Sequence, residues 1–187
     1  VSTFGELEFW FALIKILAIV ILIAVGVILV LLHFHSASGY LATPANLVND
    51  GGFFATGTKG FMLSFQMVVF AFVGIEMVGV TAAEAENPKV VIPKAINGIP
   101  VRIMLFYIGA LAVIMCIYPW SKLSPSNSPF VLVFRDIGLP GAASIVNFVV
   151  ITAAASACNS SLYTTGRMLA ELTSTAHRPV IRKISRL

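Results

Sequence analysis

The sequence predicts an all-α protein that crosses a membrane with four helices. Of its 187 residues, 58% are hydrophobic and only 11% are charged, whereas an ordinary soluble domain is about one quarter charged. The mean hydropathy is +0.96. Four separate stretches each contain the roughly 20 apolar residues that a helix needs to cross the hydrocarbon core. A soluble globule is the alternative, but the few charges cannot cover this much apolar surface.

The four predicted spans cover residues 9–32, 61–83, 103–120 and 139–162 of a single domain that extends over residues 1–187. The first span contains KILAIVILIAVGVILVLL, which is too long for a signal peptide and lacks a small-residue cleavage site. Pro88 and Pro93 are predicted to stiffen a hairpin between the second and third spans, because proline disrupts a regular helix. Pro140 marks the start of the fourth span.

The distribution of basic residues predicts the orientation. Nine of the twelve lysines and arginines lie on the side of the two chain ends, including Lys15, and three lie in the opposite loops, namely Lys59, Lys122 and Arg135. Loops on the cytoplasmic side of membrane proteins carry an excess of basic residues. We therefore expect both chain ends to be cytoplasmic.

Two ionisable residues lie within predicted spans, where charges are costly and are by default candidates for a functional role. Lys15 lies about a turn and a half into the first span, and Glu76 lies past the middle of the second. Each has a structural alternative. Lys15 could extend its ammonium to the membrane interface, and Glu76 could be a carboxylate that bonds a neighbouring helix.

Glycines flank Glu76 in the segment FAFVGIEMVG, at Gly74 and Gly79. Glycine lets a membrane helix open, and an opened helix presents free backbone groups and partial charges that suit a zwitterion. We therefore predict a substrate-binding segment that consists of Phe70, Ala71, Phe72, Val73 and Gly74. The alternative is that these glycines only allow close helix packing.

The fourth span is polar towards its inner end, where it carries Thr152, Ser156, Asn159, Ser160, Ser161, Thr164 and Thr165. Small and hydroxyl-bearing residues allow close approach and hydrogen bonds between membrane helices. The same groups could also form an ion or proton site. The composition leaves both interpretations open.

Several classes of function are not indicated by the sequence. It contains no arrangement of residues typical of an enzyme, no nucleic-acid module and no sign of a bound cofactor. No metal-ligand spacing occurs in the spans, and the pair His33 and His35 is more typical of a solvated helix end. Cys116 and Cys158 are too few for a disulfide framework.

Four blocks of the sequence, taken in order, resemble a known family. They are FGELEFWFALIKI, FQMVVFAFVGIEMVGVTAAEAENP, IPKAINGIPVRIMLFYIGALAVIM and SACNSSLYTTGRML. They are similar to the amino acid transporter branch of the amino acid–polyamine–organocation superfamily, in particular to bacterial D-serine/D-alanine/glycine permeases. The resemblance covers nearly the whole chain.

The resemblance implies a four-helix fragment of a LeuT-like inverted-repeat transporter fold in the bacterial plasma membrane. The four spans would correspond to the fifth through eighth of roughly twelve helices. The sixth helix is broken at the middle of the membrane in such proteins, and it corresponds to the span that contains Gly74. The first helix, which contributes half of the binding site in the family, would be absent from this chain.

By the same resemblance, Lys15 corresponds to a lysine whose protonation replaces a sodium ion. Ser156 and Asn159 would face it, and Glu76 would hold the broken helix or take part in proton movement. The expected function is therefore that of a fragment of a proton-coupled importer of small neutral amino acids, with an amino acid, the lipid bilayer and the missing helices as partners. Two alternatives are a non-functional membrane remnant and a self-assembling four-span protein.

Overall fold

The computed structural model describes residues 2–52, 54–70, 72–75, 77–80, 87–124 and 128–174. Their regular structure is helical apart from one isolated bridge between His35 and Leu41. The α-helices are α1 (Ser2–Leu31), α2 (Gly57–Phe70), α3 (Met77–Val80), α4 (Pro88–Ile103), α5 (Gly109–Ile117), α6 (Pro129–Asp136) and α7 (Ala142–Ser174). The chain forms two compact units, one of residues 1–15 and 149–187 and the other of residues 16–148.

Three helices of the described chain are long and apolar enough to cross a membrane, namely Gly5–Leu31, Pro88–Ile117 and Ala142–Ser174. They contain most of the first, third and fourth predicted spans. The third is much longer than predicted, because its helix begins at Pro88 and not near residue 103. The predicted proline hairpin is therefore wrong: Pro88 occupies the first turn, where its missing N–H costs nothing, and Pro93 lies inside the helix.

The long helix from Pro88 to Ile117 contains a π-helical turn at Met104–Ile108, between α4 and α5. Pro100 also lies inside this helix and cannot donate a backbone hydrogen bond. The π-helical turn follows four residues after it, and the Gly109 N–H bonds the Met104 carbonyl across it. Turns of this kind occur mostly as local bulges, often at functional sites.

The second predicted span is not one continuous helix. α2 ends at Phe70, residues 72–75 form turns, and α3 begins at Met77. Ala71, Glu76 and residues 81–86 lie outside the described residues. Four membrane-crossing helices therefore remain a prediction, and three are found in the described part of the chain.

The core of the unit of residues 16–148 lies where α1 packs on α5. Leu22 and Leu29 on α1 are buried in one cluster with Val113 and Ile117 on α5. Gly26 lies between the two leucines on the same helix, and a Cβ atom added there would overlap the Val113 side chain. The small residue therefore sets how closely the two helices approach.

The loop after α1 is fastened to the end of α5 by hydrogen bonds. The side chain of Asn46 is buried, and its Nδ2 donates to the carbonyl of Leu41 at 2.9 Å and to that of Cys116 at 2.8 Å. The N–H of Thr43 donates to the same Cys116 carbonyl at 2.9 Å. Asn46 therefore provides a donor for the Leu41 carbonyl and a second donor for the Cys116 carbonyl.

A second polar contact holds the segment after α5. The hydroxyl of Tyr118 donates to Asp136 Oδ2 at 2.6 Å, at the last residue of α6. The Asp136 side chain is 3% exposed, with the Arg135 Nε 3.8 Å from its other oxygen. Val133, one turn earlier on α6, is fully buried in the same core as Leu22.

We predict that Asn46→Ala destabilises the protein by about 1 kcal/mol or more, because two hydrogen bonds are lost, one to the Leu41 carbonyl and one of the two to the Cys116 carbonyl. The measurement is the thermal unfolding midpoint of the detergent-solubilised protein. Asn49→Ala is the matched control, since Asn49 is exposed in the same loop, and it should leave the midpoint nearly unchanged. Equal midpoints for both variants would contradict this account of the loop.

Candidate functional site

The ionisable residues of the first helix share one face. Glu8 and Lys15 are seven residues apart on α1, which places them two turns apart on the same side. Leu22 and Leu29 continue the same seven-residue spacing into the buried core. One stripe of α1 is therefore polar over its first half and apolar over its second.

The seventh helix presents polar residues at matching positions. Ser156 and Asn159 are three residues apart on α7, so their side chains lie on one face. Ser156 is 2% exposed, and Asn159 is half-buried. Thr152, one turn earlier, is also buried, but its hydroxyl donates to the Val149 carbonyl of its own helix.

The Ser156 hydroxyl joins the two charged residues of α1. Lys15 Nζ donates to Ser156 Oγ at 2.7 Å, and Ser156 Oγ donates to Glu8 Oε1 at 2.5 Å. Asn159 Nδ2 lies 3.5 Å from the other carboxylate oxygen, Glu8 Oε2. All four residues belong to the unit of residues 1–15 and 149–187, and we call them the Glu8–Lys15 cluster.

The cluster brings together three of the predicted proton-coupling residues, namely Lys15, Ser156 and Asn159. Lys15 bonds a residue of another helix, Ser156. Sequence reasoning missed Glu8, although its seven-residue spacing from Lys15 was visible. Glu8 precedes the predicted start of the first span, so its position in the sequence does not mark it as a charge within the membrane.

The predicted substrate-binding segment lies at the interruption between α2 and α3. Gly74 has a backbone φ of +97°, a conformation that side-chain-bearing residues rarely adopt. The N–H groups of Phe72, Val73 and Ile75 bond carbonyls three residues earlier, at 3.1–3.4 Å. The segment is thus held by long turn hydrogen bonds in place of regular helical ones.

A cavity of about 310 Å³ lies beside this segment. Its lining combines the interruption with α4 and the π-helical turn: Val73, Gly74, Ile75, Val78, Ile99, Arg102, Ile103, Phe106 and Tyr107. Arg102 and Tyr107 are the lining residues that carry polar groups on their side chains. The cavity belongs to the unit of residues 16–148, and its volume is at the lower end of the range for small-molecule sites.

Two of the predicted substrate-binding residues do not line the cavity. Phe70 and Phe72 are 75% and 44% exposed and do not line it. Ala71 and Glu76 lie outside the described residues. His33 and His35 are exposed, and within the described ranges no group of three or more potential metal-binding side chains comes together.

The model of the Amino acid permease family matches residues 1–186 of the chain. The chain belongs to the amino acid permease family. Membership makes it part of a membrane transporter and not of an enzyme, as the sequence predicts, and it implies the LeuT-like fold. The resemblance stated from the four sequence blocks is therefore confirmed.

Curated relatives show the same relationship. The chain is 61% identical over 183 residues to the amino-acid permease AapA of Bacillus subtilis (strain 168), covering 98% of this chain and 39% of the relative. It is 57% identical over 169 residues to the D-serine/D-alanine/glycine transporter of Escherichia coli (strain K12), covering 90% of this chain and 36% of the relative. The chain thus spans about two fifths of the length of these permeases. No solved structure matches it.

We predict that the amides of residues 72–75 exchange with deuterium faster than those of residues 63–69 in α2. The long turn hydrogen bonds of this segment open at lower cost than a regular helical ladder. The measurement is hydrogen–deuterium exchange of the permease in detergent. Equal protection across residues 63–75 would mean that the helix is continuous.

Proposed function

We propose that this chain is part of a proton-coupled secondary transporter that imports small neutral amino acids across the bacterial plasma membrane. The single observation that carries the proposal is the helix interruption at residues 72–75, which lines a cavity in a chain of the amino acid permease family. Transport would proceed by alternating access around this site.

The interruption supports the substrate role through its backbone chemistry. An opened helix within a membrane is tolerated where it lies inside protein or lines a water-filled cavity. The Gly74 conformation directs peptide groups out of the helical pattern, and such groups can bind the ammonium and carboxylate of an amino acid. Phe70 and Phe72 would pack against or gate the substrate.

The Glu8–Lys15 cluster supports the proton role. Lys15 donates to the buried hydroxyl of Ser156, and an ionisable side chain within a membrane span is by default a candidate for a functional role. A protonated Lys15 would provide the positive charge that a sodium ion supplies in other transporters. Release of that proton would then be linked to release of the amino acid.

The proposed substrate class comes from a relative. The transporter of Escherichia coli (strain K12) that is 57% identical to this chain is named for D-serine, D-alanine and glycine. A cavity of about 310 Å³ suits amino acids of this size. Helices outside the present chain would complete the site, because the relatives are much longer.

The proposed orientation places both chain ends in the cytoplasm. It is supported by the excess of basic residues on that side. Phe9 and Trp10 are 61% and 59% exposed near the beginning of the first apolar helix, a position typical of aromatic residues at a membrane interface.

We predict that Gly74→Ala lowers uptake of D-alanine at low substrate concentration by about tenfold. Forcing a side-chain-bearing residue into this backbone conformation costs about 1–3 kcal/mol, and 1.4 kcal/mol corresponds to a factor of ten. The measurement is radiolabelled uptake by vesicles that contain the complete gene product.

Gly79→Ala is the matched control for this prediction. Gly79 lies in α3 with open space around it and without a positive φ, so alanine fits there without strain. Uptake by Gly79→Ala should equal that of the wild type. If Gly74→Ala also transported normally, the segment would not be the binding element.

We predict that Lys15→Met abolishes the stimulation of uptake by an inward proton gradient. Methionine has a similar length but cannot bind a proton. The measurement is initial uptake of D-alanine as a function of external pH at fixed internal pH. Lys59→Met, at an exposed position in the first turn of α2, should retain the stimulation. A normal pH response of Lys15→Met would refute the proton role.

A further inference from the structure

We propose that Glu8 is the proton-exchange partner of Lys15 and that the Ser156 hydroxyl is the link between them. The inference rests on the proposed proton coupling and deepens it. It names the group through which Lys15 gains and loses its proton, whereas the proposed function names only Lys15.

The hydrogen bonds form one continuous chain from Lys15 to Glu8. Ser156 Oγ accepts from Lys15 Nζ at 2.7 Å and donates to Glu8 Oε1 at 2.5 Å. A hydroxyl can donate one hydrogen bond while it accepts another, so Ser156 can receive one proton while it passes on its own. Because Ser156 is 2% exposed, solvent scarcely competes for these bonds.

The proton step conserves both atoms and charge. One proton moves from Lys15 Nζ to Ser156 Oγ, and the hydroxyl proton of Ser156 moves to Glu8 Oε1. The product is a neutral amine, a neutral carboxylic acid and a hydroxyl that now donates to Nζ. The summed charge of the cluster is zero before and after, so the step creates no unpaired charge in an apolar environment, where such a charge is costly.

Asn159 lies beside the second oxygen of the Glu8 carboxylate. Its Nδ2 is 3.5 Å from Glu8 Oε2, the oxygen that does not bond Ser156. This contact is at the long limit of a hydrogen bond and is weak. The short bond from Ser156 to Oε1 is therefore the main contact that holds the carboxylate.

Other titratable groups of the same two helices lie away from this link. They are Glu6 on α1 and Cys158, Tyr163, Arg167 and Glu171 on α7. Glu6 and Cys158 are exposed, each two residues from a cluster residue and therefore on a different face of its helix. Tyr163 and Arg167 share the face of Ser156, but they lie roughly 10 and 16 Å further along the helix axis. Glu171 lies beyond them.

The position of Glu8 indicates the direction of proton movement. Glu8 is about 10 Å nearer the start of α1 than Lys15 is, and its side chain is partly exposed, whereas that of Ser156 is buried. With the chain start in the cytoplasm, Glu8 would connect Lys15 to cytoplasmic water. Acidic side chains form relays of this kind in proton-driven membrane proteins.

The test compares Glu8→Gln with the wild type in vesicles that contain the complete gene product and a trapped pH dye. Glutamine can still accept the Ser156 hydrogen bond through its amide oxygen, and it loses only the 3.5 Å contact from Asn159 Nδ2, so a structural role would largely survive the change. We expect no proton influx to accompany D-alanine uptake by Glu8→Gln. Accumulation of D-alanine driven by a proton gradient should fall about tenfold or more. Exchange of D-alanine for D-alanine should fall much less, since it needs no net proton movement.

Glu6→Gln is the matched control, because Glu6 is exposed on another face of α1, and it should transport and acidify as the wild type does. Wild-type proton influx per D-alanine in Glu8→Gln would overturn the inference. Should Glu8→Gln fail to assemble, Ser156→Ala interrupts the same link. Proton influx of wild-type size in Ser156→Ala would likewise overturn it.

The experiment separates this inference from the proposed function. If the wild-type protein moves D-alanine without protons, or moves no D-alanine, the proposed function itself fails. The other outcome is that D-alanine uptake is coupled to proton influx in the wild type and in Glu8→Gln, but not in Lys15→Met. In that case only the role of Glu8 fails.

Discussion

Hydrocarbon offers no hydrogen bonds, so a chain that crosses a membrane must satisfy its polar groups from within. The described structure meets this constraint in two different ways. Over most of α1, α4, α5 and α7 the backbone bonds itself in long helices. Where a charged side chain lies within a helix, as Lys15 does, a neighbouring helix provides its partner in Ser156. The interruption near Gly74 is the place where the backbone departs from the regular helical pattern.

The same constraint explains why opposite charges are paired in the Glu8–Lys15 cluster. A carboxylate and an ammonium that are removed from water would each be costly if they were unpaired. Joined through one hydroxyl, they form a set with a total charge of zero. This arrangement connects two helices, and in the proposed relay it also moves a proton, so the structural and the functional interpretations of the polar face of α7 do not exclude one another.

The interrupted helix and the long proline-containing helix both contribute to the wall of the cavity. Gly74 adopts a conformation that opens the chain, and the neighbouring wall of the cavity is built around the π-helical turn after Pro100. Two helices that deviate from regular geometry thus line one cavity. A regular helix has no free backbone groups to offer a ligand, and these irregularities provide the candidate binding surface.

The sequence by itself determined the class of the protein and its long apolar helices, because both follow from local composition. It also determined the family, through blocks of residues that occur in order. It located Lys15, Ser156, Asn159 and Gly74 as candidates, but not which of them meet. Tertiary structure decided that Glu8 joins the cluster, since a hydrogen bond across 148 residues of sequence leaves no local pattern. It also decided that Pro93 and Pro100 lie inside a continuous helix, where each removes one backbone hydrogen bond without ending the helix.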